Sequence, residues 1–273
     1  MILASHGIIA SQITQFVGLL DLYPSAAAAY SLRKLRTAYT GSAIRVRRTN
    51  LDEADIGFNA LGGLDTTALL AFTGTGALDN GFVKTWYDQS GNGINAEQTT
   101  LISQPQIVSS GSVITLNSKP SIQSATTLKV LQAVNISYNE CYISVVFNRT
   151  GNSGGTDTLY AFNNPPYNQL YSGSSNWSYF TNSVNNTTIP LSTSQKLITQ
   201  IDDGSNTLFY DNNTLDSTFG VSANVSSQTL NLLAYQTSYG TFGNIQEFIL
   251  YSADKTSDRT GINANINSFY SIY

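Results

Sequence analysis

Charge is what this chain has least of. Asp, Glu, Lys and Arg make up 11% of its 273 residues, well under the usual share of a soluble domain. Ser, Thr, Asn and Gln must therefore cover the surface, which suits extracellular particles, sugar-binding faces and packed assemblies. The net charge is −4, so there is no positive field to collect a nucleic acid. Sulfur and imidazole are equally scarce, with one cysteine, one histidine and one methionine. An internal disulfide and a zinc site of clustered His and Cys are excluded, and a Ser-His-Asp triad would have to recruit His6. Cys141 sits in an apolar run and reads as a small buried hydrophobe. No run is long and apolar enough for a helical membrane span. The first ten residues lack a basic n-region, so Sec-type export is not expected.

What is present points to β structure. Hydrophobic residues make up 41% and aromatics 11%, enough for a sizeable core. Short β-rich runs separated by polar turn clusters recur at 105–108, 112–116, 121–123, 141–147, 158–162, 195–201, 207–210, 230–234 and 244–251. Such regular spacing predicts an all-β sandwich or jelly roll. Asp211-Asn212-Asn213 reads as the turn of a hairpin over 207–215. Ile44 to Arg47 alternates as a strand with Arg45 and Arg47 on one face, answered by Asp52, Glu53 and Asp55. Three helices are expected at the periphery. One runs over 26–39 behind an N-cap at Ser25, with Ala28, Leu32, Leu35 and Tyr39 as its buried stripe. A second covers 65–72, and a third, 257–271, buries Ile262, Ile266, Phe269 and Tyr273. Residues 1–24 form an apolar leader, expected to be an anchoring arm, and 25–273 form one sandwich domain.

The most distinctive stretch is Trp86-Tyr87-Asp88-Gln89-Ser90-Gly91-Asn92-Gly93. A strand ends at Trp86 and runs into a polar turn. Gly91 and Gly93 can take positive φ, and Asp88 and Asn92 can hold nearby backbone groups. The expectation is a structural loop. For a ligand, the richest segment is 160–179. Sugar recognition uses an aromatic ring against C–H groups and amides or carboxylates on hydroxyls. Tyr160, Tyr167, Tyr171, Trp177 and Tyr179, with Asn163 and Asn176, supply both. Hydrolysis would need two carboxylates, about 5–5.5 Å apart if retaining or about 6.5–9.5 Å if inverting. The candidates are Asp88, Asp157, Asp202, Asp203, Asp211 and Glu247. No cofactor is expected. Ca²⁺ is the alternative, with Asp88, Asn92, Asp202 and Asp203 as oxygen donors, although no EF-hand-like spacing occurs.

Two resemblances follow. The segments Ala29-Tyr30-Ser31-Leu32-Arg33, Tyr39 to Arg48 and Trp86 to Gly93 resemble the first half of the fungal-type α-L-arabinofuranosidase B catalytic domain. That likeness implies a concanavalin-like β-sandwich and covers roughly residues 20–125. In that family adjacent cysteines lie under the sugar, and the nucleophilic glutamate stands in an Asn-Met-Glu-Ala-like segment. This chain departs from both, because Cys141 has no cysteine neighbour and Met1 is the only methionine. The hairpin at 207–215 and the strand ending in Ile249-Leu250-Tyr251 resemble laminin-G or concanavalin-type lectin modules. With its Met-Ile-Leu start and Phe-Tyr-Ser-Ile-Tyr ending, the whole arrangement is similar to virion proteins of tailed bacteriophages.

The expectation drawn from these likenesses is a non-catalytic virion component, a head-decoration, head-fibre or tail protein. It would pack against other virion proteins, form a homo-oligomer such as a trimer, and bind a glycan. An arabinofuranosidase-type glycoside hydrolase is the alternative.

Overall fold

The computed structural model describes residues 16–125, 129–151, 157–163, 165, 167–235 and 239–273. The first half of the chain carries α1 (Leu19–Leu22), β1 (Ala28–Ser31), β2 (Ile44–Arg48), β3 (Glu53–Ile56), α2 (Thr66–Thr73), β4 (Gly81–Trp86), β5 (Ala96–Glu97), β6 (Gln106–Ser109), β7 (Ile122–Ser124) and β8 (Leu131–Tyr138). The second half carries β9 (Cys141–Arg149), β10 (Thr158–Phe162), β11 (Gln169–Ser172), β12 (Asn176–Phe180), β13 (Val184–Pro190), β14 (Lys196–Asp202), β15 (Thr207–Asp211), β16 (Thr214–Phe219), β17 (Val225–Leu232), β18 (Gly243–Tyr251) and α3 (Arg259–Tyr270). Antiparallel neighbours run β16–β15–β14–β9–β18–β7–β6–β4–β5–β8–β17–β10–β11–β12–β13. This is a nearly closed, flattened barrel of the jelly-roll class. β1 lies along β18, while β2 and β3 extend from β4. Asp216 on β16 closes the remaining seam by accepting from the Thr188 backbone N–H and hydroxyl on β13.

Two apolar layers hold this shape. The larger fills the interior with Tyr30, Trp86, Phe147, Tyr160, Trp177, Tyr179, Phe209 and Phe248. The second lies outside the barrel, between β9, β14 and β18 and the helices α1 and α3. β9 shows why its sequence is a continuous apolar run. Cys141, Ile143, Val145 and Phe147 point inward, and Tyr142 and Val146 point at the helices. A strand covered on both faces has no polar alternation to show.

Several local expectations hold. α2 starts behind Asp65, whose carboxylate accepts from the Ala68 N–H, and the 207–215 hairpin turns through Asn212 at φ 57°. Arg45 pairs with Glu53 and Asp55, and Arg48 with Asp52. Arg47 shares the face of Arg45, opposite the inward Ile44 and Val46, but it is buried instead of solvated. The register slip between β2 and β4 is taken up by Lys84 on β4, and Arg47 lies over the Phe82 ring with Nε on Gln104 Oε1 at 2.7 Å.

The helix expected over 26–39 does not form. Ala28 to Ser31 are all buried as β1, in register with Leu250 to Glu247. Ala28 and Tyr30 face the interior and Ala29 the outer layer. Pairing with a fully buried strand outweighs the helix preference of an Ala-rich segment. β8, β11, β12 and β13 were not expected at all, because their outer faces carry Gln, Asn, Ser and Thr rather than a clean apolar pattern. α3 ends at Tyr270 with Ser271 in the left-handed region, so Tyr270 completes the stripe of Ile262 and Ile266 while Tyr273 is half exposed. Within the expected arm, residues 1–15 lie outside the described residues. Leu19 and Leu20 pack into the chain's own outer layer, and the Leu20 N–H donates to Leu35 O at 2.7 Å.

Candidate functional site

The 86–93 loop is a rivet between strands. The Asp88 carboxylate accepts from the N–H groups of Ala29 (2.9 Å), Ser90 (2.8 Å) and Ile94 (3.1 Å) and from the Ser90 hydroxyl (2.7 Å). Asn92 Nδ2 donates to Ala26 O and Ala27 O. Gln89 donates to Ser31 O and Arg33 O and accepts from the Leu35 N–H. Gly91, at φ 100°, brings the backbone against the Arg36 guanidinium, where a β-carbon would stand 3.1 Å from its nitrogens. Asp88, Gln89 and Asn92 of this loop thus hold β1 and the chain beside it to the end of β4.

The other candidate carboxylates are committed in the same way. Glu247 is fully buried on the α3 side of β18 and takes both guanidinium arms of Arg33, at 2.8 and 3.0 Å. Ser31 and Tyr270 hydroxyls complete its shell. Burial disfavours the Arg33 charge, but the Glu247 charge beside it outweighs that and raises the arginine above its ordinary value. Asp202 accepts from Gly204 N, Ala223 N and the Ser222 hydroxyl. Asp157 is buried against Arg149 at 2.9 Å, and Asp211 holds Lys196 at 2.6 Å. Asp203 caps its own turn through the Asn206 and Ser205 N–H groups, which hold its carboxyl below the usual range. Asp88 and Asp202 thus spend their oxygens on N–H and O–H donors at two separate corners, against the Ca²⁺ alternative. Among the described residues no group of three or more His, Cys, Asp or Glu could hold a metal ion.

The sugar-site expectation divides by side of the sheet. Tyr160, Trp177 and Tyr179 are fully buried in the interior layer and have no surface to offer a ligand. Burial pushes the phenols of Tyr160 and Tyr179 up. Strand alternation decides this, since neighbouring residues on β10 and β12 face opposite sides. Tyr171 and Tyr167 are half-buried. Tyr171 stands in register between Thr158 and Ser178, and the Tyr167 ring packs 5.4 Å from that of Phe180. Asn176 is tied to Thr187 O at 3.2 Å. Asn163 is half-buried just past β10.

Cross-strand register assembles what the sequence keeps apart. Glu97 lies opposite Gln132, Gln132 opposite Asn231, Asn231 opposite Ala161, Ala161 opposite Gln169, and Gln169 opposite Phe180. The flanking Ala96, Leu131, Ala133, Leu230 and Leu232 all point into the core, so this row lies on the outer face of the sheet. Gln132 Nε2 donates to Asn231 Oδ1 at 2.7 Å, and Asn231 Nδ2 donates to Asn163 Oδ1. Glu97 is exposed and makes no hydrogen bond or ion pair with a described residue. It borders an open cleft of ≈ 560 Å³ lined by Asn92, Asn95, Gln132, Val134 and Asn135. Gln132, Gln169, Asn231 and Glu97 were not picked out from sequence, because they lie on four strands and no local motif joins them.

No family model and no curated protein matches this chain. Solved structures do. A mutant GH54 α-L-arabinofuranosidase soaked with 4-nitrophenyl α-L-arabinofuranoside superposes with a TM-score of 0.71 at 17% identity, over 92% of this chain and 65% of that one. An arabinofuranosidase complexed with arabinofuranosyl-α-1,2-xylobiose gives 0.69 at 14% identity, over 92% and 64%. A Trypanosoma rangeli sialidase gives 0.50 at 8%, over 68% and 31%. The chain has the fold of the GH54 arabinofuranosidases, and spans about 65% of the length of the first of them. This corrects the expectation of a non-catalytic virion protein. The two of these structures that match over nine-tenths of the chain are arabinofuranosidases, and none of the three is a head, fibre or tail component. The likeness also reaches past residue 125, where the sequence resemblance stopped. Among the described residues no helix is long and apolar enough to cross a membrane.

Proposed function

We propose that this chain acts on glycans carrying α-L-arabinofuranosyl groups, with glycosidic hydrolysis as its reaction, at the outer face formed by β5, β8, β17, β10 and β11. The observation that carries this reading is the amide row from Gln132 to Gln169, with Tyr171 and Tyr167 beside it and Glu97 at its end. Amides, half-buried phenol rings and an uncommitted carboxylate are the groups a sugar requires. The fold shared with two arabinofuranosidases over 92% of the chain supports the choice of substrate class. Of the carboxylates, Glu97 is the one on this row whose oxygens are not already used by the fold. It is the acid or base that this reading employs, and the second carboxylate that hydrolysis uses is not assigned on this row.

The test has two arms. Release of 4-nitrophenol from 4-nitrophenyl α-L-arabinofuranoside measures hydrolysis, and titration with arabinoxylan oligosaccharides measures binding. Turnover that disappears in Glu97→Gln is the expected result. A folded protein that neither cleaves nor binds any arabinofuranoside sinks the proposal.

A further inference from the structure

The amide row holds more information than its composition. Asn231 is fully buried although it lies on the outer side of the sheet. Its Nδ2 donates to the backbone carbonyl of Ala161 at 3.2 Å, as well as to Asn163 Oδ1. A backbone carbonyl only accepts, so the atom facing it must be the nitrogen, and this settles which way the amide points. The remaining oxygen then faces Gln132 and can only accept. Gln132 must present Nε2 inward, at 2.7 Å, and its own oxygen outward. On the other side Asn163 must present Oδ1 inward and its NH₂ outward. Neither Gln132 Oε1 nor Asn163 Nδ2 is engaged by another described residue, and both side chains are half-buried.

We infer that Asn231 is a positioning residue that polarises this face, fixing an acceptor at Gln132 and a donor at Asn163 to grip two hydroxyls of one sugar ring. A hydroxyl both gives and takes a hydrogen bond, so one ring hydroxyl donates to Gln132 Oε1 and another accepts from Asn163 Nδ2. Counting their own amides, the outward atoms are separated by three amides and two hydrogen bonds, a path of at most roughly 12 Å. The inference rests on the proposed function only in taking the ligand to be a glycoside.

The experiment titrates the whole chain, wild type and two variants, with methyl α-L-arabinofuranoside, its 2-deoxy and 3-deoxy analogues, and a panel of methyl pyranosides. Binding is read from NMR chemical-shift changes. Asn163→Asp keeps the inward oxygen and removes the outward donor, and Gln132→Met removes the outward acceptor. Near-ultraviolet circular dichroism checks that both variants are folded. Each variant is expected to bind a hydroxyl-complete glycoside about 10-fold more weakly, the worth of one hydrogen bond to a buried polar group. Asn163→Asp should show no further loss with the deoxy analogue that lacks its hydroxyl. Binding of arabinofuranoside that neither variant changes overturns the inference and leaves the proposed function standing. Variant-sensitive binding of a pyranoside, with no arabinofuranoside bound, keeps the inference and removes the arabinofuranoside reading. Absence of binding to every glycoside overturns both.

Discussion

Two polar networks lie on opposite sides of this barrel, and they end differently. Behind β18, Arg33, Glu247, Ser31 and Tyr270 close on one another. On the front, Gln132, Asn231 and Asn163 form an equally ordered chain, yet its two ends face outward. The back network carries full charges and the front one carries amides. Full charges can be buried only when completely paired, whereas amides tolerate an end in water. A carboxylate deep in a glycosidase-like fold is therefore not a catalyst by position alone. Whether its oxygens are already taken decides its use.

The comparison can be broken at the back first. Glu247→Gln leaves the Arg33 guanidinium buried without its counter-charge. It should cost about 3–5 kcal/mol of unfolding free energy, read from denaturant midpoints, and α3 should loosen with it. If Glu247→Gln instead stays stable but loses glycoside turnover, Glu247 belongs to the chemistry and the contrast fails. Next comes the loop. Asp88→Asn replaces two of the acceptor sites used by four donors, and about 2–3 kcal/mol should be lost, with amide exchange quickening at Ala29 and Ile94.

A smaller effect is expected at Tyr87. Desolvation, and then the hydrogen bond it donates to Asp55, push its phenol up to about 12 from 10. A folded pKa above the unfolded one favours the protonated form in the native state. That contribution is complete below pH 10 and is lost as pH rises through 12. Ultraviolet titration of the phenols should show Tyr87→Phe removing one late-ionising group. Burial pushes the phenols of Tyr30, Tyr138, Tyr160 and Tyr270 well above their ordinary value. The smallest stability change belongs to the front. Glu97→Gln should stay within about 0.5 kcal/mol of wild type while turnover falls. Loss of several kcal/mol there would make Glu97 another structural carboxylate and erase the difference between the two sides.

Legibility in the sequence follows the range of the deciding interaction. The strand-to-loop passage at Trp86–Gly93 and the Asn212 turn were readable, since the glycines and Asx residues that make them stand together in the sequence, while the loop's partners around β1 were not. The helix assigned to 26–39 was misread because Ala28–Ser31 answers to β18, more than 200 residues away. In the 160–179 aromatic segment the composition was visible but the facing was not. β10, β11 and β12 send Tyr160, Trp177 and Tyr179 inward and leave Tyr171 outside.

By itself, the sequence determined a charge-poor all-β chain, its riveted loop, its final helix and the supply of amides and rings. Those depend on composition, turn chemistry and period. Tertiary structure alone decided that Glu97, Gln132, Asn231 and Gln169 share one row, that Glu247 belongs to Arg33, and which way each amide points. Strand register brings such partners together, and a buried amide takes its orientation from the backbone carbonyl beside it, so neither is written in any local pattern.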